Sequence, residues 1–97
     1  MELILIGLGG CASFDVVTIL QKGRQLPVEC YTELEASRAD TVPAVFTKIH
    51  LHFVVQGNDL SDAVVKRAVE LSAQKYCSAS IMLGAAGVQI THSYAVS

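Results

Sequence analysis

The residues with most chemical reach in this chain are its cysteines, Cys11, Cys30 and Cys77. Cys11 lies inside an 18-residue stretch, Leu3 to Leu20, in which Asp15 is the one charged side chain. Cys77 closes the other strongly helical stretch, 66 residues further on. A thiol in apolar sequence with no cation beside it keeps its proton and is inert packing. Two such thiols mean more if the fold brings them together, since paired cysteines in a reducing compartment tend to be catalytic or redox-active. An odd number of cysteines without a CxxC spacing is not a secreted disulfide framework. Cys30, on the inward side of an alternating segment, reads as core.

Composition sets what must hold these thiols. A 97-residue chain is one small domain, residues 1–97, and buries only about 60–65% of its unfolded surface. Hydrophobic residues make up 52% and charged residues 16%, against a usual charged share of about 25%. That is more apolar surface than a small monomer hides, so a homodimer is expected. A net charge of −2 offers no footprint for nucleic acid or an anionic membrane. Leu8-Gly9-Gly10-Cys11 imitates the end of a lipoprotein signal, but Met1-Glu2 supplies no basic region ahead of it. Asp15 would be costly inside a membrane span. The expectation is a soluble, cytoplasmic protein.

Periodicity then gives the elements. Leu3 to Lys22 reads as a helix apolar nearly all round, hence buried on every side, and Gly23 and Pro27 stop it. Val28 to Ser37 alternates, with Val28, Cys30, Thr32, Leu34 and Ala36 on one face and three glutamates on the other. Val45 to Gln56 alternates again, Ile49, Leu51, Phe53 and Val55 opposing Lys48, His50, His52 and Gln56. Asp59 or Ser61 can cap a helix from Leu60 to Tyr76, with Leu60, Val64, Ala68 and Leu71 as its core stripe. A short helical turn and a last strand, Val88 to Val96, follow. The fold class is α+β in the order α-β-β-α-β, the buried cysteine helix packed on an antiparallel sheet.

Two rival chemistries are weaker. Gly7-x-Gly9-x-x-Ala12 after Leu3 to Ile6 mimics a dinucleotide fingerprint, with Glu33 or Glu35 as the ribose acid. A second strand of that fold is covered on both faces, whereas Val28 to Ser37 carries a charged face. The glycines are better read as packing: Gly7, Gly10, Ala12 and Ser13 let a second helix cross closely, a symmetry mate first of all. His50 and His52, with His92, have a spacing that suits zinc, but a solvated sheet face explains them and no fourth ligand is evident. No metal is expected. Asp15, in a buried helix, needs a partner such as a backbone N–H, Lys22, Arg24 or a group of another subunit, and reads as structural.

The run Gly9 to Gln25, GGCASFDVVTILQKGRQ, resembles the cysteine helix of the OsmC/Ohr family, named for osmotically induced protein C and organic hydroperoxide resistance protein. Leu71 to Ser78, LSAQKYCS, resembles its second cysteine segment, and Thr91-His92-Ser93-Tyr94 its closing strand. The likeness spans essentially the whole chain and is nearest to the YhfA-like subgroup. It implies an intertwined homodimer with the cysteine helices at its centre, and a bacterial thiol peroxidase of oxidative-stress defence. In that role Cys11 is the peroxidatic thiol, Cys77 resolves it as a disulfide, and a lipoyl-type dithiol re-reduces the pair without any resident cofactor. The substrate implied is an organic hydroperoxide. Family members are longer at the N-terminus, where an activating arginine lies, so Met1-Glu2-Leu3 looks like the middle of such a protein. Glu2, nine residues before Cys11, is a weak stand-in for the family's active-site carboxylate, which lies ten residues ahead. The alternative is a catalytically inactive relative, structural or binding an apolar ligand. Weak turnover is the expectation for this form, because no arginine of the sequence falls beside Cys11.

Overall fold

A computed structural model describes residues 2–24, 27–41, 44–57 and 60–96. Helix α1 spans Glu2–Lys22. Each helical residue turns about 100°, so positions four apart fall nearly in line. Leu8, Ala12, Val16 and Leu20 form that line and are buried. The helix has the length and apolarity to cross a bilayer, yet this row is spent on the protein's own core. Burial on every side is not what one chain achieves: Leu3, Ile6 and Phe14, on the opposite side, are exposed. Arg24, at φ 61°, makes the left-handed exit from the helix.

Strand β1 (Glu29–Arg38) and strand β2 (Phe46–Gln56) pair antiparallel, Cys30 opposite Val55 and Leu34 opposite Leu51. Their alternation is the one expected. Ile49, Leu51, Phe53 and Val55 are all buried, and Cys30, Thr32 and Leu34 are half-buried on the face toward the helix. Gly9 marks the close approach of α1 to β1, since a Cβ there would lie 2.9 Å from Leu34 Cδ1. Ser13 and Thr32 hydrogen-bond through their hydroxyls on the same flank. Gly7 and Gly10 have no neighbour within 4 Å of where a Cβ would stand.

Helix α2 (Asp62–Leu71) runs into a π turn (Ser72–Tyr76), and helix α3 (Ser78–Ala85) follows. The core stripe of α2 is Val65, Ala68 and Val69, continued by Ser72, all buried. Val64 and Leu71 are only half-buried, one helical position away from the expected face. Ser61 is the N-cap residue, and Asp59 lies outside the described residues. Gly87, at φ 98°, closes α3 in a Schellman arrangement, Val88 N–H reaching Leu83 C=O and Gly87 N–H reaching Gly84 C=O.

Strand β3 (Gln89–Val96) pairs parallel to β2, so the sheet is mixed, in the order β1-β2-β3. The expected antiparallel sheet is therefore correct for β1–β2 and incorrect for β3. The reason is the connection: the helices between β2 and β3 carry the chain back to the end where β2 began, as a parallel crossover requires. Tyr94 donates to Asp62 Oδ2 at 3.0 Å and ties β3 to the start of α2.

Candidate active site

On α1, Cys11, Asp15, Thr18 and Lys22 share one flank of the helix by the 100° rule, at the edge of the core row. The π turn faces that flank. Ser72, fully buried, donates its hydroxyl to the Ala12 carbonyl at 2.8 Å and pins the turn beside Cys11. The Cys77 N–H bonds back five residues to the Ser72 carbonyl at 2.8 Å. That extra residue in the turn changes the side of the helix from which the chain leaves. Cys77 then goes extended, at φ −75° and ψ 101°, and becomes the N-cap of α3.

The result is a contact between the two thiols. The Cys77 Sγ–H donates to Cys11 Sγ at 3.1 Å, within one chain. Both are free thiols, Cys77 buried and Cys11 half-buried. The Ser80 N–H, in the first turn of α3, donates to Cys77 Sγ at 3.5 Å. Burial first, and the hydrogen bond to Cys11 second, push the Cys77 thiol up to about 11 against the opposing Ser80 N–H. The Asp15 carboxylate nearby adds a smaller push in the same direction.

Asp15 completes the group. One of its carboxylate oxygens and the two sulfurs all lie within 4.8 Å of one another. Its Oδ2 is buried with no hydrogen-bond partner among the described residues, and burial raises its pKa. Of the partners expected for it, no backbone N–H, Lys22 or Arg24 of the described residues hydrogen-bonds that atom, and a group of another subunit stays an expectation. Sequence reasoning placed Asp15 among structural residues, although its position one helical turn after Cys11 is a legible signal of a shared site. Beside it opens a cleft of about 390 Å³ lined by Asp15, Thr18, Ile19, Lys22, Leu71 and Tyr76.

The other candidates fall elsewhere. Glu2 is exposed in the first turn of α1, and nine residues at 1.5 Å each put it about 13 Å along the axis from Cys11. It is not brought to the sulfurs, and the carboxylate that is brought there is Asp15. His50 Nδ1 and Nε2 meet the hydroxyls of Thr91 at 2.6 Å and Ser93 at 2.9 Å. His52 Nδ1 meets Ser93 at 2.7 Å. His92 pairs in register with the inward residue Leu51, so it lies on the opposite sheet face and the three histidines form no common site. Cys30 is half-buried on β1, packed against the core, and its thiol is raised by burial.

An ionised Asp15 whose buried Oδ2 has no hydrogen-bond partner among the described residues costs stability, which gives a first prediction. Its pKa is higher in the folded chain than its ordinary 3.8, so the folded state favours the proton. The proton's contribution to stability is complete below the unfolded value and is lost as pH rises through the folded value. Asp15→Asn is therefore expected to raise the melting temperature at pH 7 modestly, since solvent screens much of the penalty on a partly exposed carboxylate. The gap between variant and parent should narrow as pH falls toward and below the ordinary value of 3.8, as Asp15 takes up its proton. Thermal melts by circular dichroism at pH 4 and pH 7 check this. A destabilised variant at pH 7 would mean that the carboxylate has a stabilising partner.

A family model described as "OsmC-like protein" matches residues 1–93. Protein YhfA of Escherichia coli (strain K12) is 56% identical over 96 residues, covering 99% of this chain and 71% of that one. The crystal structure of a hypothetical protein from Aquifex aeolicus VF5 superposes with a TM-score of 0.93 at 31% identity, over 100% of this chain and 72% of that one. An organic hydroperoxide resistance protein OsmC from Legionella pneumophila superposes at a TM-score of 0.76 and 16% identity, over 97% of this chain and 66% of that one, a likeness of fold. With a family model that covers nearly its whole length, and a contact between thiols from two of its helical segments, this chain belongs to the OsmC-like family.

Proposed function

We propose that this protein is a thiol-dependent peroxidase for organic hydroperoxides, working as a cytoplasmic homodimer in bacterial oxidative-stress defence. The observation that carries the reading is the 3.1 Å separation of Cys11 Sγ and Cys77 Sγ, from elements 66 residues apart. Sulfurs at that distance close to a disulfide by a shift of about 1 Å. Cys11 attacks the terminal oxygen of the hydroperoxide, giving an alcohol and a sulfenic acid. Cys77 condenses with the sulfenic acid, giving a disulfide and water. A lipoyl-type dithiol then takes over the disulfide. Half-buried Cys11 is the reachable partner and buried Cys77 the resolving one. The hydroperoxide-resistance names of fold relatives from Legionella and Elizabethkingia agree with this chemistry.

The test is direct. Stoichiometric cumene hydroperoxide is expected to remove two alkylatable thiols and two hydrogens of mass per chain, with Cys30 still alkylated after denaturation. Peptide mapping should find Cys11 joined to Cys77 within one chain. Full retention of all three thiols would overturn the reading. A second reading has one specific observation behind it: burial and negative charge hold Cys77 as a thiol. On that reading the protein is an inactive relative that binds an apolar ligand, and hydroperoxide leaves its thiols intact.

A further inference from the structure

We propose that Asp15 is the proton acceptor for the Cys77 thiol when Cys77 resolves oxidised Cys11, an inference that rests on the peroxidase reading and deepens it. Three observations converge. Asp15 lies one helical turn after Cys11 on the same flank of α1, and its carboxylate is within 4.8 Å of both sulfurs. Its Oδ2 is buried with no hydrogen-bond partner among the described residues, so the atom is neither a cap nor half of an ion pair. The thiol that must lose a proton is the buried one, and the backbone donor it meets among the described residues is the Ser80 N–H. The charged and titratable groups facing Asp15 are Cys11 and Lys22 from α1, and Tyr76 and Cys77 from the end of the π turn. Burial raises both Asp15 and Cys77, and a carboxylate so raised takes a thiol proton more readily than an exposed one.

The step balances. A lone pair on Cys77 Sγ forms the S–S bond to Cys11 Sγ as the S–O bond of the sulfenic acid breaks. The Cys77 sulfur is oxidised and the Cys11 sulfur is reduced. The thiol proton passes to the Asp15 carboxylate and on to the departing hydroxide, which leaves as water. Asp15 ends the step ionised, as it began.

The experiment compares the full chain with Asp15→Asn and Asp15→Glu after one equivalent of cumene hydroperoxide. Dimedone traps the Cys11 sulfenic acid, and mass spectrometry follows the disulfide. The parent is expected to form the disulfide with little trapped sulfenic acid. Asp15→Asn is expected to accumulate the adduct and close the disulfide about 10²-fold more slowly. Its rate should rise in proportion to hydroxide from pH 6 to 9, while the parent levels off, and Asp15→Glu should recover part of the loss. A disulfide that closes as fast or faster in Asp15→Asn overturns the proposal, because faster closure means the carboxylate only repels the Cys77 thiolate. Should the parent ignore hydroperoxide, the peroxidase reading has failed by itself. The same comparison with diamide then decides the role of Asp15, since closure from a Cys11 adduct still requires the Cys77 proton to leave.

Discussion

Cys11→Ser is expected to lower kcat/KM for cumene hydroperoxide by about 10³-fold or more, since removing a nucleophile removes the step itself. The substitution is nearly isosteric, so folding is not what it tests. A serine hydroxyl at position 11 is no nucleophile toward peroxide oxygen, and buried Cys77 is a poor substitute for the half-buried thiol. Cys77→Ser should fail differently. The first hydroperoxide is consumed at a rate near the parent's, and turnover then stalls with Cys11 as a sulfenic acid that excess peroxide drives to the sulfinic acid. Cys30→Ser should turn over like the parent, because Cys30 packs on β1 against the core and takes no part in the Cys11–Asp15–Cys77 group. Peroxide consumption with a lipoyl dithiol, over one and then many equivalents, separates the three variants. Equal steady-state loss of peroxide by Cys11→Ser and the parent would assign the chemistry elsewhere.

The sequence carried the skeleton of this site but not its third member. The i, i+4 row of Leu8, Ala12, Val16 and Leu20, and the alternation of Ile49, Leu51, Phe53 and Val55, are periodic, so helix and strands could be read from spacing alone. The family resemblance supplied the pairing of Cys11 with Cys77, which no local pattern encodes because 66 residues separate them. What stayed hidden depends on non-local geometry. A π turn at Ser72–Tyr76 has no residue signature, and it sets how Cys77 enters α3. The parallel direction of β3 follows from where the crossover helices deliver the chain, which composition does not state. Val65 and Val69 displaced Leu71 from the core of α2 because a stripe of four apolar residues fits two neighbouring helical phases. Asp15 lies four residues after Cys11, one helical turn on, and that spacing alone places its carboxylate on the flank of the thiol.

The outer face of α1 carries the last prediction. Leu3, Ile6, Gly10 and Phe14 fall within about 80° of one another on the helix, opposite the core row. Leu3 is 82% exposed, Ile6 68% and Phe14 71%. Such a run of large apolar side chains on a small domain marks an association surface, and open space at Gly7 and Gly10 lets a second helix approach closely. On the proposed homodimer, a second copy covers this face and buries about 2,000 Å² or more in total. The expected mass in light scattering at micromolar concentration is about 21 kDa, twice the 10.4 kDa of one chain. The double substitution Ile6→Glu, Phe14→Glu places two unpaired carboxylates in the contact, and burying an unpaired charge costs several kcal/mol. It should weaken the dimer by more than about 10²-fold, since every 1.4 kcal/mol is tenfold. Both side chains point away from Leu8, Ala12, Val16 and Leu20, so the fold of each chain should persist. Sedimentation of the variant as a folded monomer is the predicted outcome. A parent that is already a 10.4 kDa monomer, or a variant that dimerises unchanged, would show that this face is not the dimer contact.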